Sequence, residues 1–413
     1  VSLFNNIKKI LLGNGAAQLI QFAFLPLSAF LYTPEQFGVF GTIQAYSTVL
    51  TIFISLQLYV AIPFEKNQKE LYSLINLNFK YIVFSTIILL LVYILFHINY
   101  FSILAIVLGS ITSITNTLRS LIIYSGDFYR LSTSYVIRAL VIVISQAVLA
   151  FNNTINGLIY GLLLGEVIYS GLLHYFIKKS IKLPKLSKYS FLKVPITEIF
   201  TKYRAFSLYG SILELTSVVI FYGPIFIFSY FFNHNLIGQY SFIARFIWPP
   251  IILIATSCSN ALYFHFKEID NDKLKTLTLK ATVLGIIILL ISPIFAWLGK
   301  EVINLFLKVE TWKLVADFGY FTILTAISYM ASIGARAIIR FKHLQKYQLI
   351  IDILFIFGLA FALLIYMNYS SVRVLEILKL YSISYLIYNF VLIASIAFFI
   401  CSKRVIKRDG GQK

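Results

Sequence analysis

The fold class this sequence predicts is an all-α integral membrane protein. About twelve transmembrane helices stand in two six-helix lobes, with both termini cytoplasmic. Three observations predict it. The 413 residues are 59% hydrophobic and only 12% charged, against about 25% charged in soluble domains; mean hydropathy is +0.86. The apolar runs reach the ~20 residues that cross a hydrocarbon core at 1.5 Å per residue. Lysine and arginine fall very unequally on alternate loops, as they do around membrane helices. A barrel would alternate apolar and polar residues in segments of about ten, and the run 81–96 shows no alternation.

Twelve spans follow in order, each set by its apolar run. The first, 7–31, contains Pro26 and leads straight into a second, so it reads as a retained helix and not a cleaved signal. The second, 37–62, opens on Phe37-Gly38-Val39-Phe40. Spans three and four, 71–96 and 101–124, are long; five and six, 131–151 and 155–177, are shorter. Residues 178–204 are rich in lysine and broken by Pro184 and Pro195, and read as a basic linker. Span seven, 206–231, contains Pro224, and span eight, 237–262, contains Pro249-Pro250. Spans nine to twelve are 275–298, 314–340, 347–367 and 374–401. The domain reading is therefore a lobe at 1–177, the linker at 178–204, a lobe at 205–401 and a basic tail at 402–413.

With both termini inside, the outer loops hold only Lys300, Lys308, Lys313 and Arg373. The inner segments carry about six times as many cations, which sets the orientation. The same bias accounts for most of the +19 net charge. It marks a face toward anionic membrane lipids, so no nucleic acid is expected. Cys258 and Cys401 lie far apart, and the five histidines are scattered. No disulfide framework, metal site or cofactor is expected.

The two halves resemble each other at an offset of 200. Phe37-Gly38-Val39-Phe40 falls against Ile237-Gly238-Gln239-Tyr240, Pro26 near Pro224, and Phe64-Glu65-Lys66 against Phe264 with Lys267-Glu268. Six spans is an even number, so both halves enter the membrane the same way. Parallel repeats of this kind are a transporter signature, with helix breaks pointing toward the substrate path. Pro26, Pro224, Pro249 and Pro250 are the candidate breaks, each withholding a helical N–H.

The stretch Leu31-Tyr32-Thr33-Pro34-Glu35-Gln36-Phe37-Gly38-Val39-Phe40 resembles the first outer loop of Wzx-type O-antigen flippases. These are polysaccharide transporters of the multidrug/oligosaccharidyl-lipid/polysaccharide (MOP) export superfamily, to which the MATE transporters also belong. Ala61-Ile62-Pro63-Phe64-Glu65-Lys66, Gln18, Pro26 and Asp127-Phe128-Tyr129-Arg130-Leu131 are similar to the same family. The specific motif covers roughly the first 70 residues and the topology the whole chain. In one departure, Phe30 stands where many relatives carry an arginine. The resemblance implies a MATE-like fold in a bacterial inner membrane. It also implies alternating access carrying undecaprenyl-diphosphate-linked oligosaccharide outward, alongside other polysaccharide-assembly membrane proteins.

Ionisable groups at membrane depth are costly and face the bundle interior. Basic members of that set outnumber acidic ones, which suits a diphosphate, since a guanidinium offers two donors in a planar fork. Arg245, Arg138 and Arg119 come first as ligands, then Arg336 and Lys80. Arg245 is too deep to snorkel and precedes the paired prolines. For Arg119, Arg138 and Arg336 snorkelling to headgroups is the competing reading. Lys280 and Lys379 read as interfacial, with Glu376 spaced to pair Lys379. Glu166, Glu214 and Asp352 either neutralise neighbouring arginines or bind H⁺ or Na⁺ to couple transport to a gradient. Two other functions compete. A drug or cation antiporter of the same superfamily would need an acidic or apolar cavity. A membrane polysaccharide polymerase would need catalytic groups in a large outer loop, and the largest here, 299–313, has only Glu301 and Glu310 as acids.

Overall fold

Residues 3–96, 99–151, 156–180, 201–306, 310–369 and 372–401 are described in a computed structural model of the chain, and nearly all of them are helical. Eleven described helices are long and apolar enough to cross a membrane, and one bent pair brings the total to twelve. This is a multi-pass membrane protein.

Helix α1 (Leu3–Leu31) runs through Pro26 without a break. Helix α2 (Pro34–Ser55) begins on a reciprocal cap. Thr33 Oγ1 accepts the Gln36 N–H at 3.4 Å, and Gln36 Oε1 accepts the Thr33 N–H at 2.8 Å. Pro34 sits in the first turn, where a missing N–H costs nothing. Four more spans follow in this half: α3 (Gln68–Leu95), α4 (Tyr100–Ser125), α5 (Phe128–Phe151) and α6 (Gly157–Ser180). Gly126, at φ 73°, ends α4 in the left-handed region, and Asp127 then caps α5 by accepting the Arg130 N–H at 3.3 Å.

Several spans differ from their sequence outlines. The second helix stops at Ser55. Leu56 and Gln57 adopt φ of 41° and 55°, and the chain continues as a 3₁₀ turn, Leu58–Phe64. Two left-handed non-glycine residues cost about 1–2 kcal/mol each, and the close packing of the buried Leu58, Ala61 and Ile62 holds them there. The seventh span is not one helix. A π-helical turn (Ala205–Gly210) precedes α7 (Ser211–Phe221), the chain breaks at Tyr222, and α8 (Gly223–Phe231) restarts with Pro224 in its first turn. By contrast α9 (His234–Glu268) is continuous through Pro249 and Pro250, so the paired prolines do not end that helix. Helix α10 (Asn271–Phe306) is 36 residues long and absorbs much of the expected outer loop, Glu301 included. The tenth span is bent by 42° between α11 (Val315–Ala331) and α12 (Ile333–Phe341), a break that no proline announces. The last spans are α13 (Gln345–Tyr369) and α14 (Val374–Cys401).

The chain divides into two compact units, Val1–Phe226 and Ile227–Lys413. Most of the expected linker, residues 181–200, and nearly all of the expected basic tail, 402–413, lie outside the described residues. In the first unit α2 packs on α4, α3 on α4, α4 on α6, α5 on α6 and α1 on α5. In the second, α9 packs on α11 and α12, α10 on α11, α11 on α14 and α13 on α14. Span for span, the contacts two–four, three–four, four–six and five–six recur. Caps recur as well: Asn233 accepts the Leu236 N–H at 3.2 Å to start α9, 200 residues after Thr33. The offset then grows. Phe128 and Gln345, which start α5 and α13, are 217 apart, as are Gly157 and Val374, which start α6 and α14. The long α10 and the segment after it account for the drift.

The α5–α6 contact decides the site. Gly161 and Gly165 form a small-residue stripe that lets the two backbones approach, the usual device between membrane helices. A Cβ on Gly161 would stand 2.9 Å from the Gln146 backbone N, and one on Gly165 would run into the Ile142 side chain. Gly165→Leu should therefore lower the melting temperature and the monodisperse yield of purified protein, an overpacking cost of about 1–3 kcal/mol. Gly171→Leu, on the same helix with nothing within 4 Å of its Cβ position, should leave both readouts near wild type.

Candidate functional site

In the first unit, two i,i+3 pairs face each other across the glycine-enabled contact: Tyr135 and Arg138 on α5, Glu166 and Tyr169 on α6. Arg138 Nε donates to Glu166 Oε1 at 3.0 Å, and its terminal nitrogen Nη2 bonds the same oxygen. Glu166 is buried, 5% exposed, and Arg138 supplies the counter-charge that a buried carboxylate requires. The Arg138 Cζ lies 5.6 Å from the centre of the Tyr169 ring, and that ring lies 5.9 Å from the Tyr135 ring.

Arg119, six residues before the end of α4, joins this cluster differently. It hydrogen-bonds Tyr135 and interacts electrostatically with Tyr59 and Tyr169. Among the described residues it forms no salt bridge. A guanidinium at membrane depth is costly, and a phenolic oxygen carries only a partial negative charge with which to answer it. Tyrosine therefore offsets part of the charge and leaves a remainder for an anion. Beside it the Tyr169 hydroxyl is buried and lacks a hydrogen-bond partner among the described residues, a deficit of about 1–3 kcal/mol.

The second unit holds a counterpart. The Arg336 Cζ lies 4.8 Å from the Tyr329 ring centre and 5.8 Å from that of Tyr388. Its Nε donates to Ser332 Oγ at 2.9 Å, and Nη2 donates to Tyr388 Oη and Asn389 Oδ1, both at 3.4 Å. Tyr388 in turn donates to Asp352 Oδ1 at 2.6 Å. Asp352 is 1% exposed and interacts electrostatically with Arg336. Trp248 on α9 meets Tyr329 edge-on at 6.0 Å.

No protein-family model matches the chain, and no curated protein sequence matches it. Solved structures do. An inward-facing multidrug resistance MATE family transporter of the MOP superfamily aligns over 97% of this chain and 96% of its own, with TM-score 0.62 and 15% identity. This chain has the MATE transporter fold. An outward-facing MATE transporter aligns over 98% and 96%, with TM-score 0.56 and 16% identity. A MOP superfamily transporter from Pyrococcus furiosus aligns over 96% and 94%, with TM-score 0.58 and 19% identity. That protein is described as having a binding pocket of reverse polarity that suggests a different function.

On this fold the candidate cations separate. Arg119 and Arg138 come together in one cluster, and Arg336 centres the other. All three engage groups of their own unit, where snorkelling alone would send them to headgroups. Arg245 is half-buried on α9, one turn before Trp248. Lys80 lies on the exposed face of α3 and Lys280 on that of α10. Glu214 is exposed on α7 and interacts electrostatically with Tyr59. Lys379 and Glu376 stand 3.8 Å apart. The side chains of these clusters that the sequence did not single out are the tyrosines. The i,i+3 spacing of Tyr135 with Arg138 and of Glu166 with Tyr169 was the available signal.

At one end of the first unit, Glu65 ties the loop after α2 to the start of span seven. Its carboxylate accepts the Asn67 N–H at 2.8 Å, Lys202 Nζ at 3.0 Å and the Tyr203 hydroxyl, and Lys202 also bonds Glu70. Burial by itself would raise the Glu65 pKa. The bonds from Tyr203, Asn67 and Lys202 outweigh it and hold the group below the usual carboxylate range. A depressed folded-state pKa gives stability that is present above the unfolded value of about 4.3 and is lost as pH falls through the lower folded value. Thermal melts should thus be level through neutral and mildly acidic pH and fall only below about pH 4. Glu65→Gln should lower the neutral-pH stability by about 2 kcal/mol and flatten that acid limb.

Proposed function

We propose that this protein is a flippase. It carries an undecaprenyl-diphosphate-linked oligosaccharide, such as an O-antigen repeat unit, from the cytoplasmic to the periplasmic leaflet of a bacterial inner membrane by alternating access. The observation that supports it is Arg119, a membrane-embedded cation surrounded by tyrosines without a carboxylate partner among the described residues. A cationic drug would find little to pair with in these clusters. Glu166 is occupied by Arg138, and Asp352 by Tyr388 beside Arg336. The glycan class rests on the resemblance of the stretch from Leu31 to Phe40. Solved transporters of this fold in inward-facing and outward-facing forms support alternating access. The Pyrococcus furiosus transporter, whose binding pocket of reverse polarity suggests a different function, supports reading this fold with a cargo other than a drug.

In this reading the Arg119 guanidinium holds diphosphate oxygens by charge-assisted bonds. Tyr135 and Tyr169 add hydroxyls, and the isoprenoid tail stays in lipid. An anion leaving a negative interior moves downhill by about 2.3 kcal/mol per charge per 100 mV, so two phosphate charges gain roughly 4–5 kcal/mol. Glu214, exposed on α7, is the acidic group through which a H⁺ or Na⁺ gradient would act.

Arg119→Gln should slow glycan export by about 100-fold, the loss of roughly two charge-assisted bonds at about 1.5 kcal/mol each, while the protein still inserts. The measurement is surface glycan together with undecaprenyl-linked glycan retained in the inner leaflet of a host whose own copy of the gene is deleted. Altered drug tolerance with intact surface glycan in that deletion would replace this reading by a drug antiporter.

A further inference from the structure

The two arginine centres stand in equivalent places of the internal repeat. Arg119 and Arg336 are 217 residues apart, and so are Tyr135 and Asp352, each the eighth residue of its helix (counted from Phe128 and from Gln345). Tyr388 lies within a turn of the position equivalent to Tyr169. The centres differ in closure. Arg336 is engaged by Ser332, Asn389 and Tyr388, and Tyr388 donates a hydrogen bond to the carboxylate of Asp352. In the first unit that position is Tyr135, a side chain without a carboxylate, and the adjoining Tyr169 hydroxyl has no hydrogen-bond partner among the described residues. In the second centre a carboxylate reaches the arginine through Tyr388, whereas in the first Glu166 is taken by Arg138, and among the described residues half-buried Arg119 has no salt bridge and the buried Tyr169 hydroxyl no hydrogen-bond partner.

We propose that Asp352 is a tethered counter-anion that closes the second centre, so that the chain has one oxyanion site, formed by Arg119, Tyr135 and Tyr169. This deepens the anionic-cargo reading above and rests on it only for where the oxyanion comes from. The ligand chemistry is a phosphate oxyanion. A guanidinium fork and two phenolic hydroxyls donate to it, much as Tyr388 and Arg336 face the Asp352 carboxylate in the other unit.

The test is titration of inorganic pyrophosphate into the full chain in phosphatidylcholine nanodiscs at fixed ionic strength. Wild type should bind one equivalent. Arg119→Gln should weaken binding at least about 30-fold, and Tyr169→Phe about 3–10-fold. Asp352→Asn should open the second centre and raise the stoichiometry to two, and adding Arg336→Gln to it should return the value to one. Two equivalents in wild type, no binding at all, or unchanged affinity in Arg119→Gln would each overturn the proposal, whether or not Asp352→Asn folds. A folded Asp352→Asn protein that still binds one equivalent would also overturn it. Competition by undecaprenyl diphosphate identifies cargo as the source, and competition by phosphatidylglycerol identifies a resident lipid. Pyrophosphate binding at Arg119 in a protein that exports no glycan would sink the flippase reading and leave this site standing.

Discussion

A guanidinium inside a membrane has to be answered by the protein that holds it, and the architecture of both units follows from that. An arginine cannot shed its proton, and the hydrocarbon core offers no acceptor. Its neighbours must therefore supply rings, hydroxyls or carboxylates at close range. Arg138 receives a carboxylate because Gly161 and Gly165 let α6 approach α5. Arg336 receives a hydroxyl already committed to a carboxylate. Arg119 receives tyrosines. The bend after Ala331 belongs to the same scheme: Ser332, at the bend, is the side chain that takes the Arg336 Nε–H.

Much of the fold was legible in the sequence because burial in lipid is a statement about long runs. Hydropathy finds the spans without knowing their partners, and the helices rise where the apolar runs lie. The familiar motifs turn out to be end devices. The stretch from Leu31 to Phe40 contains a reciprocal cap, Thr33 with Gln36, and the loop at Asp127 caps α5. Such devices act over three or four residues, so they are readable locally.

What stayed illegible depends on contacts between residues far apart. The halt at Leu56 and Gln57 and the bend near Ser332 have no proline to announce them, whereas Pro249 and Pro250 announce a break that does not occur. A proline withholds one N–H, and the rest of a long packed helix can carry the gap. The charged residues were visible as a set, but their grouping was not. Glu166 finds Arg138 28 positions away and Asp352 finds Tyr388 36 positions away. Tyrosine was the hardest signal. With 28 in the chain, most of them suited to an interfacial belt, those that ring the arginines cannot be told apart by composition.

The edge-on contact of Trp248 with Tyr329 has a practical consequence. The chain has only three tryptophans. Trp248 is nearly buried, one ring away from the Arg336 guanidinium, while Trp297 is largely exposed and Trp312 lies in the core beside Phe242. Indole emission responds to nearby charge and to wetting. A protein whose Trp297 and Trp312 are replaced by phenylalanine thus carries its own optical probe, reading rearrangement around that guanidinium in real time without an added dye.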